Sequence, residues 1–312
     1  MDVKAKLLEG NKRAAARIIT WIESGDPRGY ECLKDLYAHA GHAYVIGITG
    51  PPGAGKSTLT DQLVKRIRKT GKKVSIIAVD PTSPFTGGAI LGDRIRMNDL
   101  TSDAGVFIRS MGARGYLGGI SEATAPAIKV LDIMGSDVII VETVGVGQSE
   151  IDIVKHADTT VMVTVPGLGD DIQTIKAGIM EIGDVFVVNK ADRDGAKRTV
   201  LELEAMLDFN GESPWRPPVL QAIAQQGKGI EVLIEAIEKH EQFLRESGVF
   251  EAHRRRNIKS EILELIKKAV MIRVNDHSET EQMLDAYVDQ IAAHEQNPFT
   301  AAEQIMAHIQ FK

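Results

Sequence analysis

The chain has 312 residues, 43% of them hydrophobic and 26% charged, with a formal net charge of −6; it can bury one large core with about 60 residues left over. An acidic surface repels phosphate backbones, so no general nucleic-acid role is expected, and no apolar run approaches the roughly 18 residues that a membrane span requires. The single cysteine, Cys32, excludes an intramolecular disulfide and any multi-cysteine metal site, and reads as a small buried apolar side chain.

Residues 1–43 read as helical, with Ala14, Ile18, Ile19 and Ile22 at helical spacing until Ser24-Gly25-Asp26-Pro27 interrupts them. The start, Met1-Asp2-Val3-Lys4-Ala5-Lys6, resembles neither a signal nor a transit peptide, which points to the cytoplasm. From about 44 to 245, apolar segments near 44–49, 74–79, 138–142, 160–165, 184–188 and 218–223 are separated by helical stretches. Apolar strands that do not alternate are buried on both faces, so the expectation is an α/β protein with a mostly parallel sheet flanked by helices. Ligands of such sheets bind at the carboxyl ends of the strands.

The first of those ends carries Gly50-Pro51-Pro52-Gly53-Ala54-Gly55-Lys56-Ser57, the phosphate-loop pattern G-x-x-x-x-G-K-[ST], followed by a helix that opens with Thr58. Its glycines let successive backbone N–H groups point into one concavity, and the helix N-terminus adds positive potential. Lys56 would reach the β- and γ-phosphates of a nucleotide, and the Ser57 hydroxyl would ligate Mg²⁺. The second strand ends in Asp80, and a further loop leads to Asp93. Each acid has two readings, a place near Mg²⁺ or a capping role in the next turn or helix.

The run Asp137-Val138-Ile139-Ile140-Val141-Glu142-Thr143-Val144-Gly145 suits a strand that sends a carboxylate toward Mg²⁺ and a Gly145 N–H toward the γ-phosphate. Magnesium keeps several waters and takes few protein ligands, so Asp80, Asp93 and Glu142 are not all direct ligands beside Ser57. No Gln or His follows Gly145 directly, so unaided hydrolysis is expected to be slow. The strand ending at Val188 runs into Asn189-Lys190-Ala191-Asp192. There Asp192 would accept two hydrogen bonds from guanine, Lys190 would lie along the base and ribose, and Asn189 would tie the two loops together. Adenine would leave that carboxylate unpaired, which selects GTP over ATP. The expected last guanine loop is Ile223-Ala224-Gln225, with the Ala224 N–H available to the base.

Beyond the sheet, Ile258, Ile262, Leu265, Ile266 and Ala269 form one apolar stripe, and Leu284, Tyr287, Val288 and Ile291 another. Ser278-Glu279-Thr280-Glu281 and Thr300-Ala301-Ala302-Glu303 fit capping boxes and are expected to start helices. This appendage suits dimerisation or docking, or packs back onto its own sheet. The basic run His253-Arg254-Arg255-Arg256 reads as a solvated helix face or linker. The expected division is a helical segment 1–43, a P-loop domain 44–245 and a helical arm 246–312.

Together with Asp80-Pro81-Thr82-Ser83-Pro84, Gly92-Asp93-Arg94-Ile95-Arg96, Gly169-Asp170-Asp171-Ile172-Gln173 and the segment from Val141 to Glu150, these motifs closely resemble the MeaB/ArgK family of GTPases. The resemblance implies a homodimeric, cytoplasmic GTPase that acts as a chaperone for an adenosylcobalamin-dependent acyl-CoA mutase. Such a protein would bind GTP or GDP with Mg²⁺, while the cobalamin is held by the partner. It further implies that Asp80, Asp93 and Glu142 surround the metal and attacking water, and that Lys176 reaches the nucleotide when the partner orders its segment. The usual last guanine loop of such proteins reads Ser-Ala, from which Ile223-Ala224 departs. A nickel chaperone would want a His-rich tract or Cys pair, a transport-associated kinase would need ATP selectivity, and a GTP-binding scaffold would share the slow turnover.

Overall fold

A computed structural model describes residues 2–80, 98–112, 121, 123–144, 153–167, 182–209, 214–276 and 278–308. It divides into two units, Met1–Glu251 and Ala252–Lys312.

The first unit is built on seven parallel strands: β1 (Tyr44–Thr49), β2 (Val74–Asp80), β3 (Val106–Gly112), β4 (Val138–Glu142), β5 (Thr159–Thr164), β6 (Val185–Val188) and β7 (Val219–Gln221). Their order is β3-β2-β4-β1-β5-β6-β7, and every pairing is parallel. Strands β1, β2, β4, β5 and β6 are buried along their whole length, as their β-branched runs require when helices cover both faces. With β1 between β4 and β5, the connections part to opposite sides at its carboxyl end and leave a crevice there.

On one face, helix Lys56–Lys69 buries Leu59, Leu63, Val64 and Ile67, and helix Ile230–Glu246 buries Ile230, Leu233, Ala236 and Ile237 in the same core. On the other, helix Lys12–Glu23 lays Ala14, Ala15, Ile18, Ile19 and Ile22 onto a second core shared with helix Thr124–Ile133. Asn11 caps the first of these helices by accepting from the Arg13 and Ala14 N–H groups. The Asp132 carboxylate accepts from the backbone N–H groups of Gly41, His42 and Ala43, tying helix Thr124–Ile133 to the segment that leads into β1. Cys32 is free and buried in this core, and burial pushes its thiol up from its ordinary pKa.

Strand β3 is absent from the segments expected from sequence. It is one of the two edge strands, its centre is half-exposed, and Arg109-Ser110 interrupts the apolar run by which the inner strands are recognised. Arg109 instead pairs with Glu23 on the helix packed above it.

The amino ends of the strands share a device. An aspartate immediately before each of three strands reaches sideways to a backbone N–H of its neighbour. Asp137 accepts from Lys73, Asp158 from Val45 at 2.9 Å and Asp184 from Thr160 at 2.7 Å. Each carboxylate satisfies an N–H that the sheet ladder leaves over at that end.

The second unit holds most of helix Val249–Asp276, with helices Ser278–Ala292 and Pro298–His308. Ala301 and Ile305 are buried there, whereas Ile258, Ile262, Leu265, Ile266, Leu284 and Val288 are exposed. The last helix starts earlier than the Thr300 capping box suggests. Asn297 is its cap, accepting from the Thr300 N–H at 3.0 Å, and Pro298 is its first residue, where a missing N–H costs nothing. Among the described residues no helix is long and apolar enough to cross a membrane.

Candidate functional site

The crevice at the end of β1 is filled by the glycine loop. Gly50 has φ 139°, and a Cβ there would lie 2.0 Å from the Val163 carbonyl oxygen, so only glycine lets the chain leave β1 beside β5. Gly55, at φ 87°, starts helix Lys56–Lys69 with no side-chain cap, so the helix end relies on its own backbone N–H groups. Pro52 and Gly53 are exposed at the mouth, while Ala54, Lys56 and Ser57 are buried and Thr58 is half-buried. The Lys56 ammonium folds back along the loop, donating to the carbonyls of Gly50 at 2.7 Å and Pro51 at 3.2 Å.

Glu142 ends β4, next to β1, and is 4% exposed. Ser57 Oγ donates to its Oε1 at 2.6 Å, and Thr60 Oγ1 donates to its Oε2 at 3.1 Å. Asp80, also buried, ends β2 on the far side of β4, two residues beyond the position paired with Glu142. Asp93, Gly145 and Lys176 lie outside the described residues. Among the described residues no group of three or more His, Cys, Asp or Glu side chains converges on a metal position. A hydroxyl and a buried carboxylate at a phosphate-binding helix end do suit Mg²⁺, which prefers oxygen and keeps most of its waters.

The guanine loop is locked to the phosphate loop through Asn189. Its Nδ2 donates to the Ala54 carbonyl at 2.8 Å, and its Oδ1 accepts from the Ala224 N–H at 3.1 Å. The Ala224 N–H, expected to be available to the base, here donates to Asn189, whose amide side chain lies between the two loops. Lys190 adopts φ 56°, uncommon for a residue with a side chain, and its ammonium donates to the Gly53 carbonyl at 2.7 Å. Asp192 is exposed beyond it, Ile223 pairs with Lys228, and Gln225 is exposed on the short turn Ala224–Gln226.

Three site residues were not singled out from sequence. Thr60 holds Glu142, and Thr49 and Thr143 join hydroxyls at 3.0 Å between the ends of β1 and β4. The signal for Thr60 was present as Ser57-x-x-Thr60, a spacing that puts two hydroxyls on one helix face.

A parallel sheet whose central strand feeds a glycine loop and a helix, with an acid from the adjacent strand and an Asn-Lys-x-Asp loop, defines a P-loop GTPase. The chain belongs to the MeaB family: the model for the methylmalonyl Co-A mutase-associated GTPase MeaB matches residues 15–279. It is 50% identical over 308 residues to a putative GTPase of Pyrococcus abyssi, covering 97% of this chain and 95% of that protein. To the GTPase ArgK of Escherichia coli it is 34% identical, over 98% and 95% of the two chains. To the mouse mitochondrial protein named methylmalonic aciduria type A homolog it is 31% identical, over 96% and 77%. A crystal structure of an LAO/AO transport system kinase matches with TM-score 0.76 and 26% identity, over 98% and 95%. HypB from Helicobacter pylori, solved in complex with nickel, shares the fold at TM-score 0.50 and 17% identity, over 70% and 96%.

Proposed function

We propose that this chain is a chaperone that couples GTP binding and hydrolysis to the protection and cobalamin loading of a B12-dependent acyl-CoA mutase, with hydrolysis stimulated by that partner. The observation that carries the reading is the family match over residues 15–279, joined to a phosphate loop whose Ser57 is hydrogen-bonded to the β4 acid.

In this reading the backbone of Gly50–Thr58 and the Lys56 ammonium bind the phosphates. The exposed Asp192 carboxylate selects guanine, Lys190 flanks the base, and Asn189 holds the loop against Ala224, with Ile223 and Gln225 closing the rim. Ser57 would hold Mg²⁺ directly, with Asp80, Asp93 and Glu142 around its waters. The ion, when bound, neutralises charge that develops on the phosphate oxygens as the γ-phosphoryl group passes to water. Gly145 contributes an N–H to the γ-phosphate, and Lys176 reaches the nucleotide when the partner orders its segment. A kinase reading is disfavoured by Asp192, which adenine would leave unpaired.

The exposed stripes of residues 252–312 suit a homodimer, and a chain truncated after Gly248 should be monomeric by light scattering yet still bind GDP. The decisive test is GTP turnover with and without a cobalamin-dependent acyl-CoA mutase of the same organism, following cofactor transfer spectroscopically. Stimulation of at least about tenfold, or roughly 1.4 kcal/mol of barrier, is expected, with most of it lost in Lys176→Ala. No stimulation and no nucleotide-dependent transfer would defeat the chaperone reading while leaving the GTPase.

A further inference from the structure

One helix grips both oxygens of the Glu142 carboxylate. Ser57 takes Oε1 and Thr60 takes Oε2, three residues further along helix Lys56–Lys69. All three side chains are buried, Thr60 completely. The backbone around the acid is separately pinned. The Thr143 N–H donates to the Ile48 carbonyl at 3.0 Å, and its hydroxyl meets that of Thr49. What is left adjustable is the glutamate side chain, which has one more rotatable bond than an aspartate in the same place.

A carboxylate that receives hydrogen bonds from metal-bound water has to be oriented, and the groups that orient it tune metal affinity. Ser57 is itself the expected metal ligand, so its hydroxyl serves two masters. Thr60 is different: its single hydrogen has two acceptors, the Lys56 carbonyl at 3.0 Å and Glu142 Oε2 at 3.1 Å. The carboxylate, when ionised, is the stronger of the two. An apolar side chain of the same shape would leave the helix intact, because the Lys56 carbonyl also lies within helix bonding.

We propose that Thr60 is a positioning residue: its hydroxyl sets the orientation of Glu142 toward the water shell of Mg²⁺ and thereby how tightly the ion is retained with the nucleotide. This rests on the reading of Ser57 and Glu142 as the metal side of the site. The test is release of a fluorescent GDP from the full-length protein across a Mg²⁺ series and in EDTA. Thr60→Val should raise the Mg²⁺ concentration that half-maximally slows release by about tenfold, with release in EDTA unchanged. Thr60→Ser should restore the parental value, and Thr60→Val added to Glu142→Ala should have little further effect. Thr60→Ala is read alongside, so a packing defect peculiar to valine cannot decide the outcome. A parental Mg²⁺ dependence in both Thr60→Val and Thr60→Ala would overturn the proposal, as would an equal change with and without Mg²⁺ that serine does not reverse. If parental release ignored Mg²⁺ altogether, the metal reading of Ser57 and Glu142 would fall first.

Discussion

The two ends of the same sheet solve one backbone problem in opposite ways. At the amino ends, Asp137, Asp158 and Asp184 each accept an N–H from the neighbouring strand, so the chain satisfies itself. At the carboxyl end of β1 no carboxylate plays that part: the chain turns through the glycine loop into helix Lys56–Lys69, whose start has no side-chain cap. Carboxylates there go elsewhere: Glu142 is held by hydroxyls, and Asp192 is exposed. The end closed by its own carboxylates is the one expected to serve stability, and the other is the end proposed to receive phosphate.

That contrast can be broken from either side. Lys56→Ala removes a buried cation from the carboxyl end, and GTP turnover should fall by at least about a hundredfold with the fold unchanged by circular dichroism. Asp192→Asn should weaken GTP by about two orders of magnitude while xanthosine triphosphate gains, since its 2-oxo group accepts from the amide; calorimetry with both nucleotides separates the two. At the closed end, Asp158→Ala strands the buried Val45 N–H. It should cost about 1–3 kcal/mol in denaturant unfolding with GDP affinity held; an affinity loss without destabilisation would mean the two ends are not separate.

The smallest effect concerns Asp184. Burial pushes its carboxyl from 3.8 up to about 7, opposed by the bond it accepts from Thr160. The folded protein therefore holds a proton there that the unfolded chain releases, and stability falls as pH rises from about 4 to 7. Asp184→Asn keeps an oxygen for the Thr160 N–H and removes that slope, so it should gain stability relative to the parent between pH 5 and pH 8. The gain is modest, because 34% of the Asp184 side chain still meets solvent. The opposite sign would mean that the ionised Asp184 carboxylate, 3.4 Å from His240 Nε2, is the form that stabilises the fold.

Six strands were legible because apolar runs, β-branched in the five inner strands, are a local signal. Strand β3 was not, since an edge position tolerates Arg109 and Ser110 and so hides the run. The last helix was legible as a helix but not at its start: the Thr300-x-x-Glu303 box places the start later than the turn at Asn297-Pro298, where the folded chain caps it. The aspartates before β4, β5 and β6 stand plainly in the sequence, yet nothing local says that each reaches the strand beside it.

By itself the sequence determined the glycine loop, the guanine tetrapeptide, the apolar strands and the acid that ends β4, because these rest on backbone propensity and burial over a few residues. Only the tertiary structure decided which of them meet. Ser57 and Glu142 are 85 residues apart, Asn189 and Ala54 135, and Asn189 and Ala224 35. Those contacts follow from the strand order β4-β1-β5-β6, which sets the ends of β4 and β5 on either side of the loop after β1 and places the end of β6 one strand further out. Strand order is settled by how helices and strands pack across the whole sheet, a collective balance that no single stretch of chain encodes.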